Sequence, residues 1–500
     1  MRRVFGFAVR ALVVLFVASC GSGGDETTGP SGSVASVTVS PGELTVLAGS
    51  YQQVTATAKD AAGNQITGRP IAWTTSDPAV AIVSSEGNVS GVGTGSTTIT
   101  ASVEGKSGTA TVSVTADLLT SVAAGGAHTC ALTFSGLAFC WGRGESGQLG
   151  IPIPTLTCPT DGGPFPCTMV PVAVEGGLTF AQLAGGGAHT CGLTSDGTAY
   201  CWGSNASGQL GDNSRTNRSA PVAVATALKF ASIDAGAQHT CALTSDSIAY
   251  CWGSNSRGQL GDGTTTNSSV PVSVTGNLTF QSIKAGGFDI GHTCGLTTSG
   301  DAYCWGDNER GQLGNGTGGL GKEDLTAHPD PAPVIGNHKF TALTAGLARH
   351  TCGLTGTGAA YCWGENSFGA LGNSSTNDSS EPVPVSGGLA FAQLIAGGFI
   401  GHTCGLTSDG TAYCWGENER GQVGDNSTED RLEPSPVSGG LTFTSIDAGF
   451  RHTCGLGTAD GISGGIYCWG SGGAGQLGGN STSESWVPVG VLGAGGSWDY

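Results

Sequence analysis

HTCALTFSGLAFCWGRGESGQLG, from His128 to Gly150, recurs six more times along this chain, beginning at His189, His239, His292, His350, His402 and His452. Successive histidines lie 61, 50, 53, 58, 52 and 50 residues apart. A period near 50 is one supersecondary unit copied in tandem, and such units stabilise one another by stacking. Each unit reads as four strands: a Pro-Val strand (Pro221 to Val224), a Phe-x-x-Ile-x-Ala-Gly strand (Phe230 to Gly236), His-Thr-Cys and Tyr-Cys-Trp-Gly. Small antiparallel sheets cannot bury both faces alone. Packing them radially solves that and gives an all-β propeller.

The cysteines set the register inside a unit. Cys191 and Cys201 are ten apart. If they face each other, Leu193 pairs with Ala199 and Thr194 with Thr198. Ser195-Asp196-Gly197 is then a three-residue hairpin loop, with Gly where a left-handed residue is wanted. The same reading gives Cys130-Cys140, Cys241-Cys251, Cys294-Cys304, Cys352-Cys362 and Cys404-Cys414 as cross-strand disulfides. Cys454-Cys468 is wider, consistent with four residues inserted into the same turn, and Cys158-Cys167 staples the insertion Ile151 to Val170. Seventeen cysteines suit an oxidising compartment. Zinc is the competing use, because His and Cys alternate in every copy, but the short Cys-x2–4-Cys pairs of zinc sites are absent. No metal or cofactor is expected. Seven equivalent histidines cannot all be one active site, so they are expected to be buried and bonded to a neighbouring blade or to their own turn. A metal-binding ring in the channel is the alternative.

The formal net charge is −18, and charged residues make up only 11% of the 500. No Lys/Arg cluster occurs, and a phosphate backbone would be repelled, which argues against nucleic acid as a partner. The 89 glycines sit at fixed places in the repeats and read as turn residues.

Residues 1–20 read as an export signal. Arg2, Arg3 and Arg10 form a positive region, and Ala11 to Ala18 is an apolar run too short to span a bilayer. Val17-Ala18-Ser19-Cys20 resembles the bacterial lipobox. The resemblance implies cleavage before Cys20, acylation of its thiol, and a membrane partner through that lipid, at the outer membrane or cell surface. Residues 21–33 form a flexible linker. Residues 34–116 alternate at period two between turn signals, the pattern of a β-sandwich. Ser40-Pro41, Leu47-Ala48-Gly49, Asp60 to Asn64, Trp73 to Asp77, and Gly91-Val92 through Ile99 resemble the bacterial Ig-like group 2 domain. That family implies a spacer with no catalytic residues. Trp73 is expected as its core aromatic.

Residues 117–500 resemble the regulator of chromosome condensation repeat family. Ala-Gly, His-Thr-x-x-Leu-Thr, Tyr-x-Trp-Gly, Asn-x-x-Gly-Gln-Leu-Gly and the Pro-Val strand carry the resemblance, which implies seven blades. The expected fold is therefore an Ig-like β-sandwich followed by a seven-bladed β-propeller. Val487 to Val491 is expected to complete the first blade, because Leu118 to Val122 enters without a Pro-Val strand before it.

Function in a propeller sits where the copies differ, because the strands are committed to packing. The turn before each His carries small residues early in the chain, then Phe288, Asp289, Arg349, Phe399, Phe450 and Arg451. Aromatics beside arginine suit a binding patch. The alternative is that the phenylalanines only cover the inner strands. The insertion Asn315 to Pro333 and the segment Asp425 to Asp430 are weaker candidates, for a cation. No Ser/His/Asp set or carboxylate pair rises above the repeat background, so an enzyme is not expected. The expected function is an exported, lipid-anchored monomer that binds an extracellular protein or glycan. The alternatives are a polymer-degrading enzyme and an enzyme inhibitor, since the family includes a secreted propeller that blocks β-lactamases. Export and acidity argue against the guanine nucleotide exchange known in the family.

Overall fold

The computed structural model describes residues 32–47, 51–115, 117–159, 163–287, 290–319, 324–398, 401–459 and 462–492. Cys20, Phe288, Asp289, Phe399, Lys322 and Glu323 lie outside them. The chain divides into a unit ending at Asp117 and a unit beginning at Leu118.

In the first unit alternating burial along short strands builds one core. Ser36–Ser40 and Gly95–Val103 present every second residue inward. One four-stranded and two three-stranded sheets share a cluster that includes Val46, Val54, Val89, Ile99 and Val112. Trp73 is not its centre. It is half-buried and packs on the cluster from one side, close to Gly87. The β-branched residues fill the interior without it.

The second unit is seven sheets, each cut from one continuous stretch of chain. In blade 2 the strands run Gln182–Gly185, His189–Leu193, Ala199–Gly203 and Arg218–Ala223, paired in that order. Cys191 faces Cys201, Leu193 faces Ala199, and the Thr194 amide donates to the Thr198 carbonyl at 3.0 Å. Gly197 closes the loop at φ 79°. The S–S bonds join Cys130–Cys140, Cys191–Cys201, Cys241–Cys251, Cys294–Cys304, Cys352–Cys362, Cys404–Cys414 and Cys454–Cys468, with Cα atoms 4.0–4.1 Å apart. Cys158 and Cys167 are joined as well, at 5.8 Å.

The phase of the repeat differs from the sequence expectation. The Pro-Val strand is the outer, last strand of its blade and not the opening one. Gly208 and Gly211, at φ 88° and 68°, reverse the chain, so the following strand returns beside Ala199–Gly203. Blade 1 therefore supplies its own outer strand, Phe165–Ala173. Ser485–Gly490 pairs with Ile462–Gly470 in blade 7, and does not complete blade 1. Among the described residues no strand is exchanged across the seam.

A belt of side chains closes the ring instead. At the interface of blades 1 and 2, the Gln148 carbonyl accepts hydrogen bonds from Thr190 Oγ1 at 2.9 Å and from Trp202 Nε1 at 3.0 Å. The Thr190 hydroxyl proton is thus assigned, so His128 Nε2–H must donate to that oxygen, at 2.9 Å. His–Thr bonds of 2.8–2.9 Å recur as His189–Thr240, His239–Thr293, His292–Thr351, His350–Thr403 and His402–Thr453. The seam uses the same atoms. His452 bonds Thr129 at 2.9 Å, and the Gln476 carbonyl accepts from Thr129 at 3.0 Å and Trp141 at 2.8 Å. Blade 5 carries Ala370 in place of Gln, and its carbonyl serves Thr403 and Trp415 equally well, so the belt needs the backbone oxygen and not the amide.

Apolar packing accompanies each set of bonds. The Cys130–Cys140 disulfide and Leu149 of blade 1 pack on Phe180, Leu183 and Trp202 of blade 2. Trp141 and the six tryptophans equivalent to it are fully buried. The rings of His128, His189, His239, His292, His402 and His452 lie against Gly125, Gly186, Gly236, Gly286, Gly397 and Gly449; a Cβ on Gly236 would come within 2.5 Å of His239 Cε1. Burial pushes the histidines down, to about 4 for His128, His239 and His350 and about 3 for the other four. They are neutral, Nε2-protonated structural donors.

Candidate functional site

The axis of the ring is a channel of about 240 Å³ lined by the first strand of every blade. Its charged groups are Asp234, Lys284 and Asp447. Lys284 lies 3.6 Å from Asp234. Burial pushes Asp447 up to about 6 against hydrogen bonds from the Ala124 and Ala448 amides. These carboxylates cap backbone: Asp234 accepts from the Ala285 amide at 2.8 Å, and Asp447 accepts from Ala124 across the seam at 2.7 Å. The channel groups are therefore part of the ring's own hydrogen bonding.

The copies diverge at one end of the ring, where three short segments of each blade meet. They are the turn before His, the residue after Trp-Gly, and the Gly-Gln-Leu-Gly return. Gly203, at φ 106°, shows how tightly they meet, since a Cβ there would sit 2.6 Å from the Ala188 carbonyl oxygen and 3.1 Å from Gln148 Cα.

On blades 7, 1, 2 and 3 the small residues Gly126, Ala127, Gly187, Ala188 and Ala237 leave two cavities beside Phe450. One, of about 340 Å³, is lined by Arg143, Glu145, Ser204, Ser207, Gln209 and Gln238 among others. The second, of about 290 Å³, is lined by Gly126, Ala127, Phe450, Arg451, Ser471 and Gln476. Phe450 is half-buried and its ring rests on Gly126, where a Cβ would lie 2.5 Å from Cε2. The stapled loop stands alongside: Cys158, Phe165 and Cys167 cluster with Ala127, Met169 and Ala474. Arg143 lies 4.5 Å over the Phe165 ring and pairs with Glu145 at 2.6 Å.

Across blades 3 to 5 the same end is ionic. Arg349 lies 3.6 Å from Glu309, and Arg257 lies 3.6 Å from Asp307. Arg310 lies 3.6 Å from Asp378. Burial raises Asp307 and Glu365 above the ordinary carboxylate range, against the attraction of Arg349 with Arg257 and with Arg310, respectively. Arg451, at the blade 6–7 interface, lies 3.4 Å from the buried Glu417.

The expected late-blade patch is thus divided. Phe450 and Arg451 face the grooves with blade 1, whereas Arg349 belongs to a separate ion network with blade 4. Arg143, Glu145, Gln238 and the carboxylates Asp307, Glu365 and Glu417 were not singled out in the sequence. The residue after Trp-Gly was a readable signal for four of them, because it runs Arg143, Ser204, Ser254, Asp307, Glu365, Glu417 and Ser471 along otherwise matching copies. Asp324 and Asp425, carboxylates of the two cation candidates, are bonded within the protein, while Lys322 and Glu323 of the first lie outside the described residues. Asp324 accepts from Asn308, Thr317 and His328 at 2.9–3.1 Å. Asp425 holds Ser427 and Arg431. Among the described residues no group of three or more His, Cys, Asp or Glu gathers as around a metal ion.

The RCC1-like domain family model matches residues 160–496, and the Regulator of chromosome condensation (RCC1) repeat matches residues 119–148. This chain belongs to the RCC1-like domain family. Its first unit matches the Bacterial Ig-like domain (group 2) over residues 33–116. The Ultraviolet-B receptor UVR8 of Arabidopsis thaliana is 30% identical over 72% of this chain and 67% of that protein. The probable E3 ubiquitin-protein ligase HERC4 of Homo sapiens is 35% identical over 40% of this chain, which spans only 18% of that protein. Human WBSCR16 superposes with a TM-score of 0.59 at 22% identity, over 68% of this chain and 87% of that one. Yeast RCC1 (Prp20), solved bound to Kap60, gives 0.58 at 21%, over 68% and 81%. These two likenesses establish the propeller fold. Within the RCC1-like family, this chain's blades each carry a cross-strand disulfide, and its variable end is split between grooves and an ion network.

Proposed function

We propose that this RCC1-like protein is an exported binding protein. It is acylated at Cys20 and held at the cell envelope, with the Ig-like unit as a spacer and the propeller capturing an extracellular protein or glycan. One observation carries the reading. The most repeated side chains, His, Thr, Cys and Trp, are committed to the belt and the blade cores, while the varied residues of the turn before His and of the position after Trp-Gly line the Phe450 grooves. Eight disulfides fit an oxidising location. The printed name of UVR8 calls it a receptor, which agrees with a binding role.

The test uses residues 21–500 as bait against extracellular material, in wild-type form and as Phe450→Ala/Arg451→Ala. Capture by wild type and its loss in the double variant, with the fold retained in circular dichroism, is the expected outcome. Equal capture by both removes the assignment of the grooved end. For the anchor, Cys20→Ala should abolish palmitate labelling and release the protein from membranes; continued labelling would contradict acylation at Cys20.

A further inference from the structure

The grooves beside Phe450 have a chemistry that selects among possible ligands. We infer that they bind neutral carbohydrate, with a sugar face stacked on Phe450 and its hydroxyls read by the surrounding amides and hydroxyls. The inference rests on the binding role proposed above and names the ligand class.

Charge is the first argument. The charged groups at the grooves are matched within the protein: Arg143 with Glu145, and Arg451 with Glu417. An acidic ligand would have to separate one of these pairs, and a basic ligand would meet an arginine on either side of Phe450. A neutral ligand disturbs neither.

The polar lining is the second argument. Ser207 Oγ donates to Gln238 Oε1 at 3.2 Å, which fixes the amide and leaves Nε2 as its donor to a ligand. Gln209 Nε2 donates to Ser204 Oγ at 3.4 Å, so the Ser204 hydroxyl is left to donate as well. Ser471 lies across Phe450 in the second cavity. An amide and hydroxyls around one aromatic ring suit vicinal hydroxyls on a ring whose other face is C–H.

The backbone is the third argument. A peptide that binds by strand addition needs unpaired main-chain groups, and a helix needs an apolar groove. Here the main chain of the floor is already bonded. The Gly126 amide donates to the Gly186 carbonyl at 3.0 Å, the Phe450 amide to the Gly126 carbonyl at 3.1 Å, and the Ser204 amide to the Ala188 carbonyl at 2.8 Å. Phe450 is the only large apolar side chain among the described residues lining the two cavities. Each cavity is near the lower end of the about 300–1,000 Å³ range of small-molecule pockets, enough for a short segment of glycan and too small for a folded partner to anchor in.

The experiment probes residues 21–500, Phe450→Ala and Gln238→Glu on arrays of neutral oligosaccharides, of uronic, sialylated and sulfated oligosaccharides, and of peptides. Wild type should retain neutral oligosaccharides, and each variant should weaken that retention about tenfold or more with the melting temperature within a few degrees. Gln238→Glu keeps an acceptor for Ser207 while turning the ligand-facing donor into a charged acceptor, so it tests the site even if Phe450→Ala loosens the fold. Retention of peptides or acidic glycans alone, lost in both variants, overturns the neutral-carbohydrate assignment but preserves the grooved end as a binding site. Retention unchanged in both variants, or no retention on any array, overturns the inference.

Discussion

The belt and the grooved end are built from adjacent residues of the same repeats, yet they behave oppositely. His189 is bonded across a blade interface that is copied around the ring with distances agreeing within 0.1 Å among the His–Thr pairs. Ala188, one residue earlier, lines a groove that exists in part of the ring only. Repetition marks the load shared by every interface. Departure from repetition marks where side chains are released from that load, and there the protein has a surface to vary. The difference also explains how the described strands close the ring without exchange: the seam has the same set of His, Thr, Trp and a backbone oxygen as its neighbours.

Acid is the harshest way to break the belt. Neutral native histidines with values of about 3 to 4 take up protons less readily than unfolded ones near 6.5. The unfolded state therefore binds more protons between these limits. Stability is full above about pH 6.5 and falls as pH drops through that window toward 4. Seven such groups act together against a typical folding free energy of about 5–15 kcal/mol. Asp447, raised to about 6, and the raised Asp307 and Glu365 oppose the trend, three groups against seven. Circular dichroism on the oxidised protein should show cooperative loss of the propeller between about pH 6 and 4. A fold stable at pH 3 would contradict the assignment of the histidines as buried neutral donors.

Trp305→Ala is the next largest perturbation. It removes a fully buried ring and its 3.1 Å bond to the Gln259 carbonyl, and should cost about 3–5 kcal/mol in denaturant titrations. Trp141→Ala at the seam should cost as much, since its surroundings are equivalent. A markedly smaller loss there would show that the seam is looser than the other interfaces. The charged half of the variable end gives a smaller effect. Arg257→Ala removes a partner of buried Asp307 and should cost about 1–3 kcal/mol at neutral pH, most of it restored by a second change, Asp307→Asn. No recovery in the double variant would mean that Arg257 acts through packing.

Much of this was legible in the sequence because the repeat averages over seven copies. The ten-residue Cys spacing and the Gly at the hairpin loop agreed on one register, and the structure has that register in Leu193 opposite Ala199. The phase of the blade was not legible. A cyclic permutation of four strands leaves the period unchanged, and only the sharp reversal at Gly208 and Gly211 decides that the Pro-Val strand turns back onto its own blade. The bonding of the histidine was half legible. Burial followed from there being seven equivalent copies, but the partner is a threonine some 50 residues away that is itself part of the motif. The division of the variable end was hidden for a different reason. Arg349 and Arg451 occupy the same column, yet their surroundings depend on the residue after Trp-Gly in the preceding blade, Asp307 near one and Glu417 beside the other. Trp73 was misplaced because aromatic character alone does not show which sandwich residues reach the centre.

The separation of belt from grooved end is tested most directly by measuring both properties on one pair of variants. Thr293→Val keeps side-chain shape but leaves His239 Nε2–H without its acceptor and removes a donor from the Gln259 carbonyl. It should lower unfolding free energy by about 1–3 kcal/mol and leave ligand retention unchanged. Phe450→Ala should lower retention about tenfold or more and change stability by less than about 1 kcal/mol. The reverse pattern, with retention lost on changing Thr293 and unaffected by changing Phe450, would contradict the account.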